Sequence, residues 1–480
     1  MPTTLYAGAA RVKLDPPVGL AMAGYGRRVG HSRGIHDDLA AQAIVFSDGA
    51  HKAAIASVDV LALGIRICDA VAAQVAAETN IPADAVMICA THTHSGPQFN
   101  LYATPRNDSG PVDRSPERDL DWERALPDKI AQAIIEADSR IQPARVRAGG
   151  GRFALGTNRR LMRADGSIQL APNYAGVADA ELKALEVLEA TREEDQIAFL
   201  LNYPSHGVVL CEDNLLYSRD WPGFAVDAIE SLMIEDRPNK PSVALFAQGA
   251  TGNIDPARRG TFAIAADAGK GAALVAIDAL SREVSIAGTP VITRRVPIRM
   301  KLRDLSAKLA IAEANVQQTE AALRNHAGVG GFQLKRLTDQ HQQSLDELAA
   351  LRALDDANKR DKRVDRASGE LLTHMTIVAL GDLGFVGIPG ELFAELGLVI
   401  KSNSYFRHTF VLGYCNDLVG YIPTREAYEF GGYEVETSRV AQGAGELLAH
   451  QALANMFQIR QELNQMAEAG AAKKRRTTQT

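Results

Sequence analysis

A chain of 480 residues with 46% hydrophobic and 23% charged residues has the composition of a globular protein able to bury a sizeable core. Its formal net charge of -6 argues against nucleic acid or an anionic membrane surface as the main partner. Four scattered cysteines, Cys68, Cys89, Cys211 and Cys415, form no CxxC pair, which speaks against a disulfide framework or a thiolate zinc site.

The opening "MPTTLYAGAARVKLDPP" has no apolar signal core, and no later window reaches the length of a membrane span. A cytoplasmic location without stable membrane insertion is therefore the expectation. Amphipathic spacing predicts helices over 66–79, 126–139 and 262–281. Short apolar runs alternate with them: "AVMICA" (85–90), "IAFLLNY" (197–203), "SVALFAQ" (242–248), "MTIVAL" (375–380), "GFVGIP" (384–389) and "TFVLGY" (409–414). Runs of this kind suit strands buried on both faces, so the expected fold is α/β, with mixed sheets covered by helices.

Between about 302 and 358 the pattern changes. Leu305, Leu309, Ala312, Val316 and Leu323, then Leu334, Leu337, Leu345, Leu348 and Leu351, fall at helical spacing on either side of "AGVGG" (327–331). This predicts an inserted antiparallel helical hairpin, serving as a packing element or as the contact of a homo-oligomer. A last helix is expected over 441–457. One domain then spans 1–465, followed by a disordered basic tail (466–480) containing Lys473, Lys474, Arg475 and Arg476.

In open α/β sheets, ligands bind beyond the carboxyl ends of the strands. The residues that follow each apolar run are therefore the informative ones. "AVMICA" is followed by Thr-His-Thr-His-Ser-Gly-Pro, with His92 and His94 on one face of an extended segment. "IAFLLNYPS" leads to His206, "SVALFAQGA" to Asn253 and Asp255, "GFVGIPG" to Glu391, and "TFVLGYCN" to Asp417 and Tyr421. Alone, each reads as an ordinary loop residue. Together they supply imidazole nitrogens and carboxylate oxygens, a donor set that suits zinc.

"ATHTHSGP", "NYPSHGVVL", "QGATGNIDP", "PGELF" and "GYIPTREAYEFGGYE" stand in the order seen in neutral (non-lysosomal) ceramidases. The early segment "GYGRRVGHSRGIHDDL" (24–39) is also similar to that family, and the chain resembles it from about residue 5 to about residue 460. The resemblance implies a zinc amidase with an α/β catalytic domain that splits ceramide into a fatty acid and sphingosine. It implies His92, His206, Glu391 and Tyr421 as zinc ligands, with His94 facing the substrate and Tyr433 as a second active-site tyrosine. It also implies an arginine at Arg160 or its neighbour Arg159, and places His36 near the pocket.

Two departures stand out. Where the family has "G-D-x-S-P", often given a catalytic serine, the chain reads Gly252-Asn253-Ile254-Asp255-Pro256, with Asp255 in the serine's place. Secreted ceramidases also carry an export signal and a C-terminal β-sandwich domain, and neither is read here. The expected chemistry is hydrolysis of an N-acyl amide by a zinc-activated water, since zinc lowers the pKa of bound water from 15.7 to about 7. Glu391 or Asp255 would relay the proton, and Asp37, Asp38 and Asp59 are candidates to orient the histidines. The alternatives are a lactonase or lactamase acting on a small cyclic metabolite, and a non-catalytic assembly protein stabilised by its metal. Substrate choice is expected to lie in the loop 98–125, with Arg106, Arg114 and Arg118.

Overall fold

The computed structural model of the chain describes residues 4–99, 119–190, 195–236, 242–281, 283, 289–325 and 330–477. Two sheets pack face to face. The first has eight strands, in the spatial order Val243–Gln248, Gln196–Tyr203, Glu181–Glu189, Gln142–Arg152, Tyr6–Lys13, Ala40–Ser47, Lys52–Val58 and Val86–Ala90. The second is built on Val291–Lys301, Glu370–Leu380, Leu383–Gly387 and His408–Leu412.

The two-residue side-chain period of a strand explains the layers. In Ala40–Ser47, Ile44 and Phe46 turn inward and meet Val378, Leu380, Phe385 and Phe410 of the second sheet. Ala43 and Val45 turn outward, onto Ile67 and Val71 of the helix Ile65–Glu78 and Leu126 and Ile130 of Leu120–Ser139. Further along the same outer face, Phe199, Leu201 and Phe246 pack on Trp221 and Ile229 of Asp220–Asp236 and Ala272 of Phe262–Leu280. The helices Ala394–Ser402 and Ala444–Thr477 cover the outside of the second sheet, through Leu396, Ile400, Leu448 and Met456. The result is four layers, helix on sheet on sheet on helix. Covering both faces of each sheet is what makes the strands read as unbroken apolar runs.

The helix expected to start at 126 begins at Leu120, because the Asp119 carboxylate caps the backbone N–H groups of Asp121 and Trp122. The basic tail expected to be disordered from 466 is instead helical to Thr477. Its residues are mostly Ala, Glu, Gln, Met, Lys and Arg, all strong helix formers, and basic residues suit a helix C-terminus.

Ser306–Arg324 and Gly331–Arg360 are two helices whose contacts run in antiparallel register. Arg352 pairs with Glu313 at 2.8 Å, and Thr319 meets His341 at 3.0 Å. Their shared core is small, made of Leu305, Ala312, Leu348 and Leu351. Among the described residues no helix is long and apolar enough to cross a membrane.

Candidate metal centre

Among the described residues of the two main sheets, three strand pairs run parallel: Lys52–Val58 with Val86–Ala90, Gln196–Tyr203 with Val243–Gln248, and Leu383–Gly387 with His408–Leu412. Their carboxyl ends meet at one edge, where the two sheets are joined. Gly413 N–H donates to the Gln248 carbonyl at 2.9 Å, Ala90 N–H donates to the Tyr414 carbonyl at 3.3 Å, and Thr93 bridges to Gly207. A short parallel pair, Glu391–Leu392 with Tyr421–Ile422, sets Glu391 directly opposite Tyr421. The strand exits read from the sequence therefore converge on one place, although they are far apart in the chain.

His92 takes the left-handed conformation, φ 60°, unusual for a residue with a β-carbon. Backbone strain of this kind persists where the surroundings over-determine it, and it gathers at functional sites. The His92 N–H is held by the Val60 carbonyl at 3.1 Å, and its Nδ1 lies 2.6 Å from the Leu61 carbonyl. His206 Nδ1 lies 2.9 Å from the Ile254 carbonyl. A carbonyl only accepts, so both rings carry their proton on Nδ1 and turn the Nε2 lone pair inward.

At that point His94 Nε2 is 3.1 Å from His92 Nε2. Glu391 Oε2 lies 3.5 Å from His206 Nε2 and 3.8 Å from His92 Nε2. Ligand atoms of the three histidines all lie within 4.8 Å of one another, in a setting where His92 and His206 are buried. Two nitrogens at zinc–nitrogen distance from a tetrahedral ion sit about 3.3 Å apart, so the spacing fits a zinc-sized cation. The charge state fits as well. Burial, with neighbouring His206 and Arg159, outweighs the pull of Glu391 and the Leu61 carbonyl and drops the His92 pKa to about 3; burial and the same cationic surroundings push His94 down too. Burial alone would raise the Glu391 pKa, but His206, His92 and Arg159 hold it below its ordinary value. Neutral imidazoles and an ionised carboxylate are the forms that bind metal.

Tyr421 projects its hydroxyl to Arg159 Nη2 at 3.0 Å, and its ring meets Tyr433 edge to face at 5.7 Å. The arginine against the centre is Arg159, not Arg160. Arg159 bonds Asp255 at 2.9 Å, Glu434 at 2.8 Å and the Gly252 carbonyl at 3.0 Å, and approaches His206 Nε2 at 3.4 Å. Arg160 stands one layer back, on Glu434 at 2.6 Å and the Gly431 carbonyl at 2.6 Å. The pairing of Gly156–Met162 with Ile168–Asn173 shifts register between Asn158 and Arg160, so Arg159 falls at an irregularity in the ladder; both arginines hold Glu434, but only Arg159 continues to Asp255 and Tyr421. Burial raises the Asp255 pKa, but Arg159, His206 and Arg259 more than offset it and keep the carboxyl below its usual range.

The three aspartates considered for orienting the histidines are engaged elsewhere. Asp37 accepts from Ser218 and Arg219, Asp38 pairs with Lys13, and Asp59 accepts from Ala40 N–H and Gln42. Backbone carbonyls do that work instead. Asp417 is also structural, tied to Thr373 and Arg363, while Asn253 holds the segment after Glu391 through Ala394 N–H at 2.9 Å. His36 stacks on Phe262 at 3.8 Å and bonds its neighbour Asp37.

Two neighbours were not singled out from the sequence. Tyr414, counted there within an apolar run, stacks on the His92 ring at 3.9 Å and places its hydroxyl 3.1 Å from Glu391 Oε2. Gly24, at φ 97°, lies so close that a β-carbon would sit 2.4 Å from His94 Cγ. Only glycine fits there, and it presses the 24–26 segment onto the imidazole.

Above the centre opens a cavity of about 740 Å³, lined among others by His94, Arg159, Asp255, Arg259, Tyr421 and Tyr433. Of the loop expected to set specificity, residues 100–118 lie outside the described residues, with Arg106, Arg114 and Arg118 among them.

Residues 12–274 match the family model described as neutral/alkaline non-lysosomal ceramidase, N-terminal. The neutral ceramidase of Pseudomonas aeruginosa is 31% identical over 176 residues, which is 36% of this chain and 24% of that relative, so the match spans about a quarter of the relative's length. In three dimensions, the crystal structure of neutral ceramidase from the same organism superposes with a TM-score of 0.69 at 17% identity, covering 96% of this chain and 75% of the other. A ceramidase structure described as complexed with C2 gives 0.69 at 18%, covering 96% and 76%. At these identities the superpositions establish the fold.

Proposed function

The chain belongs to the neutral/alkaline non-lysosomal ceramidase family, and from that premise we propose that it is a zinc-dependent hydrolase of carboxamide bonds. The observation that carries this reading is the meeting of three imidazoles, their ligand atoms all within 4.8 Å of one another, with the Glu391 carboxylate 3.5 Å from His206 and 3.8 Å from His92, beside a cavity that His94 lines. His92, His206, Glu391 and Tyr421 would hold the metal, with His94 beside them. A bound zinc ion supplies Lewis-acid polarisation of a carbonyl and a water of lowered pKa.

The protein's own residues divide the remaining work. The Leu61 and Ile254 carbonyls fix the rings of His92 and His206, so their Nε2 atoms need no reorientation. His94 and Tyr433 line the cavity and would be the donors to the amide oxygen. A well-placed donor of this kind is typically worth about 3 kcal/mol in the transition state. Arg159 pins the Tyr421 hydroxyl, and its charge lies within reach of any negative charge that develops there. Asp255, clamped at 2.9 Å by Arg159 and facing Arg259 at 3.7 Å, serves as counter-ion to the arginines, not as a nucleophile in the family serine's place.

Family membership points to an N-acylated amine as substrate. The cavity mixes Arg159, Arg259, Glu212 and Asp255 with Tyr25, Leu170 and Pro172. Its volume falls in the range of small-ligand sites. Both features favour a compact polar amide or lactam over a long-chain ceramide. The test is a panel of N-acyl amides of increasing acyl length, lactams and lactones, offered to the zinc-loaded protein with His92→Ala as control. Turnover of an amide by the parent and not by the variant is expected. Equal turnover by both contradicts the assignment.

A further inference from the structure

Tyr414 sits where it touches two of the ligands named above. Its side chain is fully buried, and its backbone takes the left-handed conformation, φ 53°, rare for an aromatic residue. The ring lies on the imidazole of His92, with centroids 3.9 Å apart and planes 20° from parallel. The hydroxyl lies 3.1 Å from Glu391 Oε2 and 2.7 Å from Thr251 Oγ1. An ionised carboxylate only accepts, so the Tyr414 hydroxyl donates to Glu391 and must itself accept from the Thr251 hydroxyl. The direction of the whole chain is thereby fixed: Thr251 O–H to Tyr414 O–H to Glu391.

Resting on the reading of this centre as a metal site, we propose that Tyr414 is a positioning residue that sets the orientation of Glu391 and of the His92 ring together, with Thr251 locking its hydroxyl. Tyr414 does not reach the cavity lining, and its polar atom is already saturated by its two partners. It therefore acts through the ligands and not on substrate. Hydrogen-bond partners of metal ligands typically carry a 10–100-fold effect on metal affinity or activity when removed. The stack on His92 survives in Tyr414→Phe, so that variant isolates the hydroxyl.

The experiment is competition of the full chain against a zinc chelator, for the parent, Tyr414→Phe, Thr251→Ala and the double variant, with thermal unfolding of each metal-free protein as a check on folding. Tyr414→Phe is expected to weaken zinc binding about 10–100-fold. Thr251→Ala should weaken it less, and should add nothing once Tyr414 is Phe, because its effect passes through the Tyr414 hydroxyl. Unchanged zinc affinity in a folded Tyr414→Phe, or additive effects in the double variant, overturns the proposal and leaves the metal-site reading standing. A parent protein that takes up no zinc overturns both.

Discussion

At the scale of single residues, the centre depends on groups whose metal-binding protonation states are held far further into acid than in water. His92 stays neutral because burial, the first of its perturbations, removes the solvation its cation would need. An unfolded histidine titrates near 6.5, whereas His92 in the folded metal-free protein does so at about 3. The folded-state value is the lower of the two, so acid favours the unfolded chain. Stability is complete above about pH 6.5 and drains away as pH falls toward 3, at up to about 1.4 kcal/mol per pH unit for this one group. Urea midpoints of the metal-free protein should therefore fall between pH 6.5 and 5, and fall less in His92→Gln. A slope identical in the two proteins would contradict the neutral, buried assignment.

The same scale shows what a sequence conceals. Arg159 and Arg160 are adjacent and chemically identical, and a local shift in the strand register, not residue type, accompanies the difference in which one reaches Tyr421. Tyr414 closes an apolar run, where an aromatic reads as core, and its second function is visible only from what lies beside its hydroxyl. The groups that orient His92 and His206 are carbonyls of Leu61 and Ile254. Every residue has a carbonyl, so no residue type could have marked them.

At the scale of elements, the convergence of these side chains was legible because apolar strands buried on both faces must end where polar side chains begin. His92, His206, Glu391 and Tyr421 each follow such an ending, and all four come together. The parallel pair that sets Glu391 against Tyr421 is crowded from behind by Gly252. A β-carbon on Gly252 would lie 2.5 Å from the Glu391 carbonyl oxygen and 3.0 Å from the Phe393 ring. Gly252→Ala must therefore displace the two-residue strand that carries Glu391, at a cost of about 1–3 kcal/mol. We expect lower thermal stability together with weaker zinc uptake. Full zinc affinity in that variant would show that the segment tolerates displacement and that Glu391 is not held by it. The helical spacing of 302–358 carried less information, since a thin apolar seam marks two packed helices without saying what they do.

At the scale of the whole molecule, the two sheets and their helix layers bring one edge of each sheet together, and the centre lies across that seam. His92, His94 and His206 come from the first sheet, while Glu391 and Tyr421 follow strands of the second. Neither sheet alone supplies the proposed donor set, so metal bound there would couple to docking of the sheets. A ligand that binds only the folded state stabilises it by mass action. The mixed architecture could be read from the alternation of apolar runs and helical stretches; the pairing of the two sheets could not, because it depends on contacts between residues hundreds of positions apart.

The central claim is that this seam holds one catalytic metal ion. It is tested most directly by titrating chelator-stripped protein with zinc while following hydrolysis of an N-acyl amide substrate and thermal stability in the same samples. Activity and melting temperature should rise together and level off at a single equivalent, and His206→Ala should show neither rise. Activity in the stripped protein, or saturation unaffected by loss of His206, would contradict it.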